Sequence, residues 1–315
     1  MKILITGGAG FQGSHLAADL IKKGHAITIL NTRSPRADLN VKFLKTVKGK
    51  YPVKIVWGTI LDNAVVDKLV KNQEVVFHLA AKVNVEESLD NPSLVTEVNV
   101  MGTVNILNAV TKHKKRLIFC STCEVYGDDS RKRKLDEHAK LVPNSPYAAS
   151  KAAADRLCYS YYKSFGTDVV IIRPFNVFGE RQKSGQYGAL IPILTARAIQ
   201  KQSLTVFGDG KQTRDFSHVS DIVNMYNLIL KKKNLSGHVI NFASGKNTSI
   251  AAIAHHVAKR FGSIVAYGPA RPGEVLEFNA DISKATSIGW RPRTNIWSGI
   301  DSYIKWAGSN LEYFK

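Results

Sequence analysis

Tyr147 and Lys151 stand four residues apart in Tyr147-Ala148-Ala149-Ser150-Lys151. On a helix this spacing puts a phenol and an ammonium one turn apart on one face. The cation lowers the phenol's pKa, and a phenolate can then take the proton of an alcohol while hydride leaves the same carbon. By spacing alone such a pair is equally an exposed surface contact. Upstream, Ser121-Thr122-Cys123-Glu124 sets hydroxyls, a thiol and a carboxylate side by side. Near the start, Thr6-Gly7-Gly8-Ala9-Gly10-Phe11-Gln12-Gly13 has the glycine spacing of a dinucleotide turn. There Gly7 permits the tight turn, Gly10 lets backbone approach a pyrophosphate and Gly13 lets the following helix pack closely.

These residues need a frame that brings turn and phenol together. Apolar runs at 2–6, 26–30, 53–57, 74–78, 116–121 and 169–173 read as strands, with helix-period segments between most of them. That alternation predicts an α/β fold, a doubly wound parallel sheet covered on both faces. After Arg173-Pro174 the pattern is interrupted by Gly and Pro, with helices expected at 191–201, 220–230 and 250–261. A smaller second α/β domain, entered and left by the chain, accounts for it. The chain of 315 residues is long enough for such a pair of domains without disulfide or metal support.

At the end of the second strand, where a dinucleotide fold carries an acid for the adenosine ribose, the sequence has Asn31 followed by Thr32 and Arg33. Asn31 can bond a ribose hydroxyl without repelling a 2′-phosphate, and Arg33 can pair with one, so this segment favours NADP. Cys120-Ser121-Thr122-Cys123 spells a redox motif, but it begins inside an expected buried strand. No second cysteine pair completes a zinc site, and no metal is expected.

Lys and Arg number 44 against 25 Asp and Glu, a formal net charge of +19. The basic residues fall in four separate clumps, three of them at expected helix ends or loop starts, with no interleaved aromatic motif, so they read as solvated surface rather than a nucleic-acid face. Such a charge still attracts a diphosphate substrate. No apolar run approaches a membrane span, and three cysteines fit a reducing compartment, so the expectation is a soluble cytoplasmic protein without membrane or nucleic-acid partners.

Taken in order, these motifs resemble the extended short-chain dehydrogenase/reductases, the NAD-dependent epimerases and dehydratases acting on nucleotide sugars. The likeness also rests on His78-Leu79-Ala80-Ala81, Asn99-Val100-Met101-Gly102-Thr103, Arg173-Pro174-Phe175-Asn176-Val177-Phe178-Gly179, the run Leu204 to Phe216, Arg271-Pro272-Gly273-Glu274, Asp281 to Ala285, and Gly289-Trp290. The resemblance implies a Rossmann domain of residues 1–175 and about 213–243, and a nucleotide-sugar domain of about 176–212 and 244–315. It implies NAD as cofactor, a UDP- or dTDP-linked sugar as substrate, and a homodimer. Thr122 would bond the C4 oxygen, Tyr147 would be the base and Lys151 would also hold the nicotinamide ribose. Gly7, Gly10, Phe11, Gln12, Gly13, Asn31, Arg33, Leu79, Ala80 and Ala81 would line the cofactor. Lys82, Asn176, Val206, Arg214 and Arg271 would meet the substrate. Four positions depart from the family pattern: Gln12 for Ile, Asn31 for Asp, Thr59 for Asp and Glu180 for Pro.

The triplet at Thr122 separates reactions within the family. Thr-Asp-Glu resembles the 4,6-dehydratases, Thr-Ser-Glu the UDP-glucuronate decarboxylases, and 4-epimerases usually lack the carboxylate. Thr122-Cys123-Glu124 lies between the first two and is similar to the 5,6-dehydratase branch. Glu124 is placed to take the C5 proton beside a 4-ketone, and Cys123 to protonate a departing C6 hydroxyl. The expectation is a dehydratase with Thr122, Cys123, Glu124, Tyr147 and Lys151 as catalytic residues. The alternatives are an epimerase, or a decarboxylase in which Lys82 seats the substrate carboxylate.

Overall fold

The β-branched run at the start of the chain forms strand β1 (Lys2–Thr6), whose Ile3, Leu4 and Ile5 are wholly buried. Strands β2 (Ala26–Asn31), β3 (Lys54–Trp57), β4 (Val75–His78), β5 (Arg116–Cys120) and β6 (Val169–Pro174) follow, each within one residue of the expected ends. A seventh strand, Val239–Phe242, was not expected: its four residues are all buried and carry no alternation to mark it. The computed structural model describes residues 1–131, 134–185, 188–270 and 277–314.

The seven strands form one parallel sheet in the order β3, β2, β1, β4, β5, β6 and then Val239–Phe242. Thr6 lies in register with His78 where β1 meets β4. Strand order reverses at that pair, which makes a crevice at the carboxyl ends where a doubly wound sheet takes its ligand. Helix α1 (Phe11–Lys22) leaves β1, α2 (Pro35–Thr46) leaves β2 and α3 (Asn63–Lys71) leaves β3. The interior strands β1, β4 and β6 are continuous apolar runs because helices cover both faces.

Two compact units emerge. The first is Met1–Val125, Pro143–Arg173 and Val223–Ile240. Its core joins Leu4, Val76, Leu117, Phe119 and Ile171 to Ile106, Leu107 and Val110 of the helix Gly102–Lys112 and to Ala154 and Cys158 of the helix Pro146–Phe165.

The second unit is Tyr126–Val142, Pro174–Ile222 and Asn241–Lys315. It is built from short pieces. Leu204–Phe207 pairs in parallel with Val265–Gly268. Thr213–Asp215 lies between Asn247–Ser249, antiparallel, and Glu277–Phe278, parallel. The helices Leu190–Ile199, Ile250–Phe261 and Ile296–Gly308 bury Leu194, Ile253, Val257 and Tyr303 in its core with Phe178 and Val206.

Candidate active site

The glycine turn is shaped by contact. Gly7 adopts φ +73°, and a Cβ there would lie 2.7 Å from the Ala80 nitrogen; one on Gly13 would lie 2.2 Å from the Gly7 oxygen. Both positions therefore exclude a side chain. At Gly10 an added Cβ would meet only the Gly7 oxygen, at 3.0 Å, so the space beside it is a cradle that a side chain would fill. Gly10 also starts α1 without a side-chain cap, which leaves the first backbone N–H groups available to an anion. Two asparagines brace the loop: Asn31 Oδ1 accepts from Ala9 N–H at 3.1 Å, and buried Asn40 donates to Ala9 O at 2.8 Å. These features fit a dinucleotide's pyrophosphate.

At the carboxyl end of β5, Thr122, Tyr147 and Lys151 are all nearly inaccessible. The helix Pro146–Phe165 starts cleanly: Ser145 caps it through the Ala148 N–H, Pro146 takes the first turn, and Gly166 ends it in the left-handed region. Tyr147 thus enters on the first turn and hydrogen-bonds Thr122. Burial pushes its phenol well above the ordinary value; the Thr122 bond opposes this, while Glu124, Cys120 and Cys123 add to the rise. Lys151, expected from the sequence to lower this pKa, follows one turn later on the same helix. Lys151 Nζ donates to Cys120 O at 2.7 Å and lies 4.3 Å from the Phe119 ring centre, and burial lowers its own pKa. The ammonium is held at the strand end, while the Thr122 hydrogen bond lowers the phenol against its burial.

Several residues that hold this arrangement carried no role in the sequence reading. Buried Asn99 accepts from Lys82 N–H at 2.8 Å, and donates to Lys82 O and to Ser150 Oγ, both at 2.9 Å. Ser150 donates to Tyr147 O at 2.7 Å. Asn99 lies in the π-helical turn Glu97–Met101, a widening that turns its carboxamide between two segments. Thr103 donates to Asn99 O at 2.6 Å, which leaves its oxygen free to accept from His78 Nε2 at 3.1 Å. His78 Nδ1 then accepts from Thr6 at 2.7 Å. Neutral His78 makes both bonds, donating through Nε2 and accepting at Nδ1, and burial lowers its pKa to about 3. Asp155, one turn beyond Lys151, takes Arg173 bidentately at 2.9 Å and ties the helix to β6. The i,i+4 spacing of Asn99 and Thr103 was the one available signal for this network.

The remaining expected residues separate. Leu79 and Ala80 sit against the turn, Leu79 N–H donating to Thr6 O at 3.0 Å, and Ala81 follows half-buried. Phe11 packs edge-on to His15. Arg33 lies over the Trp57 ring at 5.6 Å and pairs with Asp38 at 3.4 Å. Lys82 Nζ pairs with Glu87 at 2.7 Å. Cys123 is buried and Glu124 half-buried, its N–H donating to Thr122 Oγ1 at 3.3 Å. In the second unit, Asn176 donates to Asp215 O at 3.1 Å and Arg214 lies over Phe278 while donating to Thr213 O. The Val206 side chain is packed in that unit's core, so only its backbone can face a ligand. Arg271 lies outside the described residues. No disulfide joins Cys120, Cys123 or Cys158, and no metal-binding cluster occurs among the described residues. No helix among them is long and apolar enough to cross a membrane.

Residues 3–243 match the model of the NAD dependent epimerase/dehydratase family. The chain is 38% identical to the UDP-N-acetyl-alpha-D-glucosaminuronate decarboxylase of Bacillus cytotoxicus, covering 97% of each chain. It is 30% identical to a dTDP-glucose 4,6-dehydratase of Streptomyces niveus, over all of this chain and 95% of the other. Among solved structures it resembles a UDP-glucuronic acid 4-epimerase from Bacillus cereus, in complex with UDP-glucuronic acid and NAD, with TM-score 0.89 and 30% identity over 98% of this chain and 99% of that one. Relatives named for three different reactions thus match the chain over nearly its whole length. Matched by the family model over most of its length and by relatives from end to end, the chain belongs to the NAD dependent epimerase/dehydratase family and is an enzyme of the extended short-chain dehydrogenase/reductase type.

Proposed function

We propose that the protein is a nucleotide-sugar dehydratase, eliminating water across C5 and C6 of a UDP- or dTDP-hexose after transient oxidation at C4. The observation that carries this reading is Glu124, whose carboxylate stands two residues from Thr122 and close enough to Tyr147 to raise its phenol. Interconversion at C4 needs no carboxylate there. Bound NAD supplies the hydride acceptor. Thr122 holds the C4 oxygen and Tyr147 takes its proton, a transfer that hydrogen bonding within the pair prepares. The resulting ketone acidifies the C5 hydrogen. Glu124 removes that proton, Cys123 gives its thiol proton to the C6 hydroxyl and water departs; the hydride would then return to the sugar, to C4 with Tyr147 giving back its proton or to C6 with Glu124 reprotonating C5, so that the cofactor is unchanged over the cycle. Asn176, Arg214 and Arg271 are read as holding the nucleotide diphosphate, guanidinium forks being suited to it. The working form is read as a cytoplasmic homodimer.

Decarboxylation is the second reading, favoured by the 38% identical relative. Its weak point here is Lys82, the cation proposed to seat a substrate carboxylate, which is paired with Glu87. Incubation with UDP- and dTDP-hexoses and with UDP-glucuronate, followed by mass measurement, separates the readings. Loss of water is expected; loss of carbon dioxide, or isomerisation without mass change, rejects the dehydratase. In the dehydratase, Glu124→Gln should still reduce its dinucleotide on binding substrate but stop incorporating solvent deuterium at C5.

A further inference from the structure

Gln12 stands in the first turn of α1, and its side chain reaches the carboxyl end of β5. Its Oε1 accepts from the Tyr226 hydroxyl at 3.1 Å and from the Cys120 thiol at 3.8 Å. Tyr226 is wholly buried, edge-on to Phe77 with ring centres 5.6 Å apart, so its hydroxyl is fixed in place. The Cys120 carbonyl receives Lys151 Nζ at 2.7 Å. One carboxamide therefore links the uncapped start of α1, the place for a pyrophosphate, to the strand end that holds Lys151, the place for the nicotinamide ribose. The Tyr226 hydroxyl orients the amide through Oε1, the single Cys120 thiol proton being shared with Ser121 O at 3.7 Å, and Nε2 has no protein acceptor among the described residues. A carboxamide nitrogen carries two protons and accepts nothing. Half-buried and without a protein partner, it is left to water or to an acceptor that a ligand brings.

We propose that Gln12 is a cofactor-binding residue, its Nε2 donating to phosphate and ribose oxygens on the nicotinamide side of the bound dinucleotide, with Tyr226 fixing its direction. The proposal rests on the reading of the glycine turn and Lys151 as a dinucleotide site. It adds a specific contact at one of the positions where this sequence departs from the family pattern. NAD and NADP differ only on the adenosine ribose, so both should feel this contact alike.

The test is calorimetric titration of the full-length protein, freed of bound nucleotide, with NAD, NADP and AMP. Gln12→Leu should weaken NAD and NADP by a common factor of about ten, the worth of a hydrogen bond to a charged group. AMP, which lacks the nicotinamide half, should change by less than about twofold, as expected for an uncoupled site. Tyr226→Phe should weaken NAD by a smaller factor and have no further effect once Gln12 is Leu. Unchanged NAD affinity in Gln12→Leu, or an equal loss for AMP, overturns the proposal and leaves the dinucleotide site standing. Failure of the native protein to bind NAD at all removes the site reading and the proposal with it.

Discussion

The first unit holds the two ends of the crevice proposed for its cofactor by two different means. At the hydride end, Thr122, Tyr147, Lys151, His78, Asn99 and Thr103 are all buried. Their bonds join β1, β4, β5, the π-turn and the helix Pro146–Phe165. At the adenosine end the Arg33 side chain is 73% exposed, and its partners are an exposed carboxylate and the face of Trp57. Proton transfer requires donor and acceptor within hydrogen-bond reach, so a small displacement of the phenol costs rate. Recognition of a ribose tolerates more freedom. The difference teaches that burial marks where this molecule needs fixed geometry, and exposure marks where its ligand preference can change.

Replacing the phenol tests the rigid end most severely. Tyr147→Phe keeps the ring in its buried slot but removes the proton acceptor, so turnover should fall by roughly two to four decades while NAD affinity stays near that of the native protein. Single-turnover kinetics and cofactor titration measure the two separately. Native-like turnover would mean that another group takes the proton and that the interlocked end is only a scaffold. Because burial raises this phenol, turnover limited by its ionised form should climb with pH through the neutral range.

The same contrast explains what could be read without coordinates. Strands β1 to β6 were legible because a parallel sheet covered on both faces needs unbroken apolar runs. Tyr147 and Lys151 were legible because both lie on one helix, where spacing alone puts them on one face. The destination of the Lys151 ammonium was not, since Cys120 O and the Phe119 ring come from another segment. Asn31 was read as able to bond a ribose hydroxyl; that its Oδ1 also braces Ala9 of the glycine turn was not legible, since nothing in the local sequence points to a bond across 22 positions. Tyr126–Val142, lying between Glu124 and Tyr147 in the chain, groups with the second unit and carries no compositional boundary.

Acid should loosen the rigid end. His78 is neutral in the folded protein, with its pKa lowered from 6.5 to about 3 by burial, and it bonds Thr6 and Thr103 in that form. The sign follows from proton uptake. Below the unfolded value the unfolded chain binds a proton that the folded chain refuses, so the contribution is intact above pH 6.5 and declines as pH falls toward the folded value. The loss should reach about 1.4 kcal/mol per pH unit at its steepest. Urea unfolding of the native protein and His78→Gln, compared from about pH 7 to pH 4, should give stabilities that converge on acidification. Parallel curves would show that His78 is not the group responsible.

The open end should yield the smallest effect and the one most selective for ligand. Arg33 rests on Trp57 and can swing from Asp38 toward a 2′-phosphate, but an exposed ion pair is worth only about 1 kcal/mol or less. Arg33→Ala should therefore lower NADP affinity by about fivefold or less and leave NAD unchanged. Asn31→Asp adds a negative charge at the same edge. Its carboxylate can still accept the Ala9 N–H, so the glycine turn keeps its brace and NAD binding survives. NADP should weaken by about tenfold, since a unit repulsion at 4 Å in a surface environment is a few kcal/mol before salt screens it. Paired titrations of NAD and NADP on native protein and both variants give the ratio directly. If both variants lose NAD and NADP equally, Asn31 and Arg33 act through the loop they brace, and the adenosine end is as interlocked as the hydride end despite its exposure.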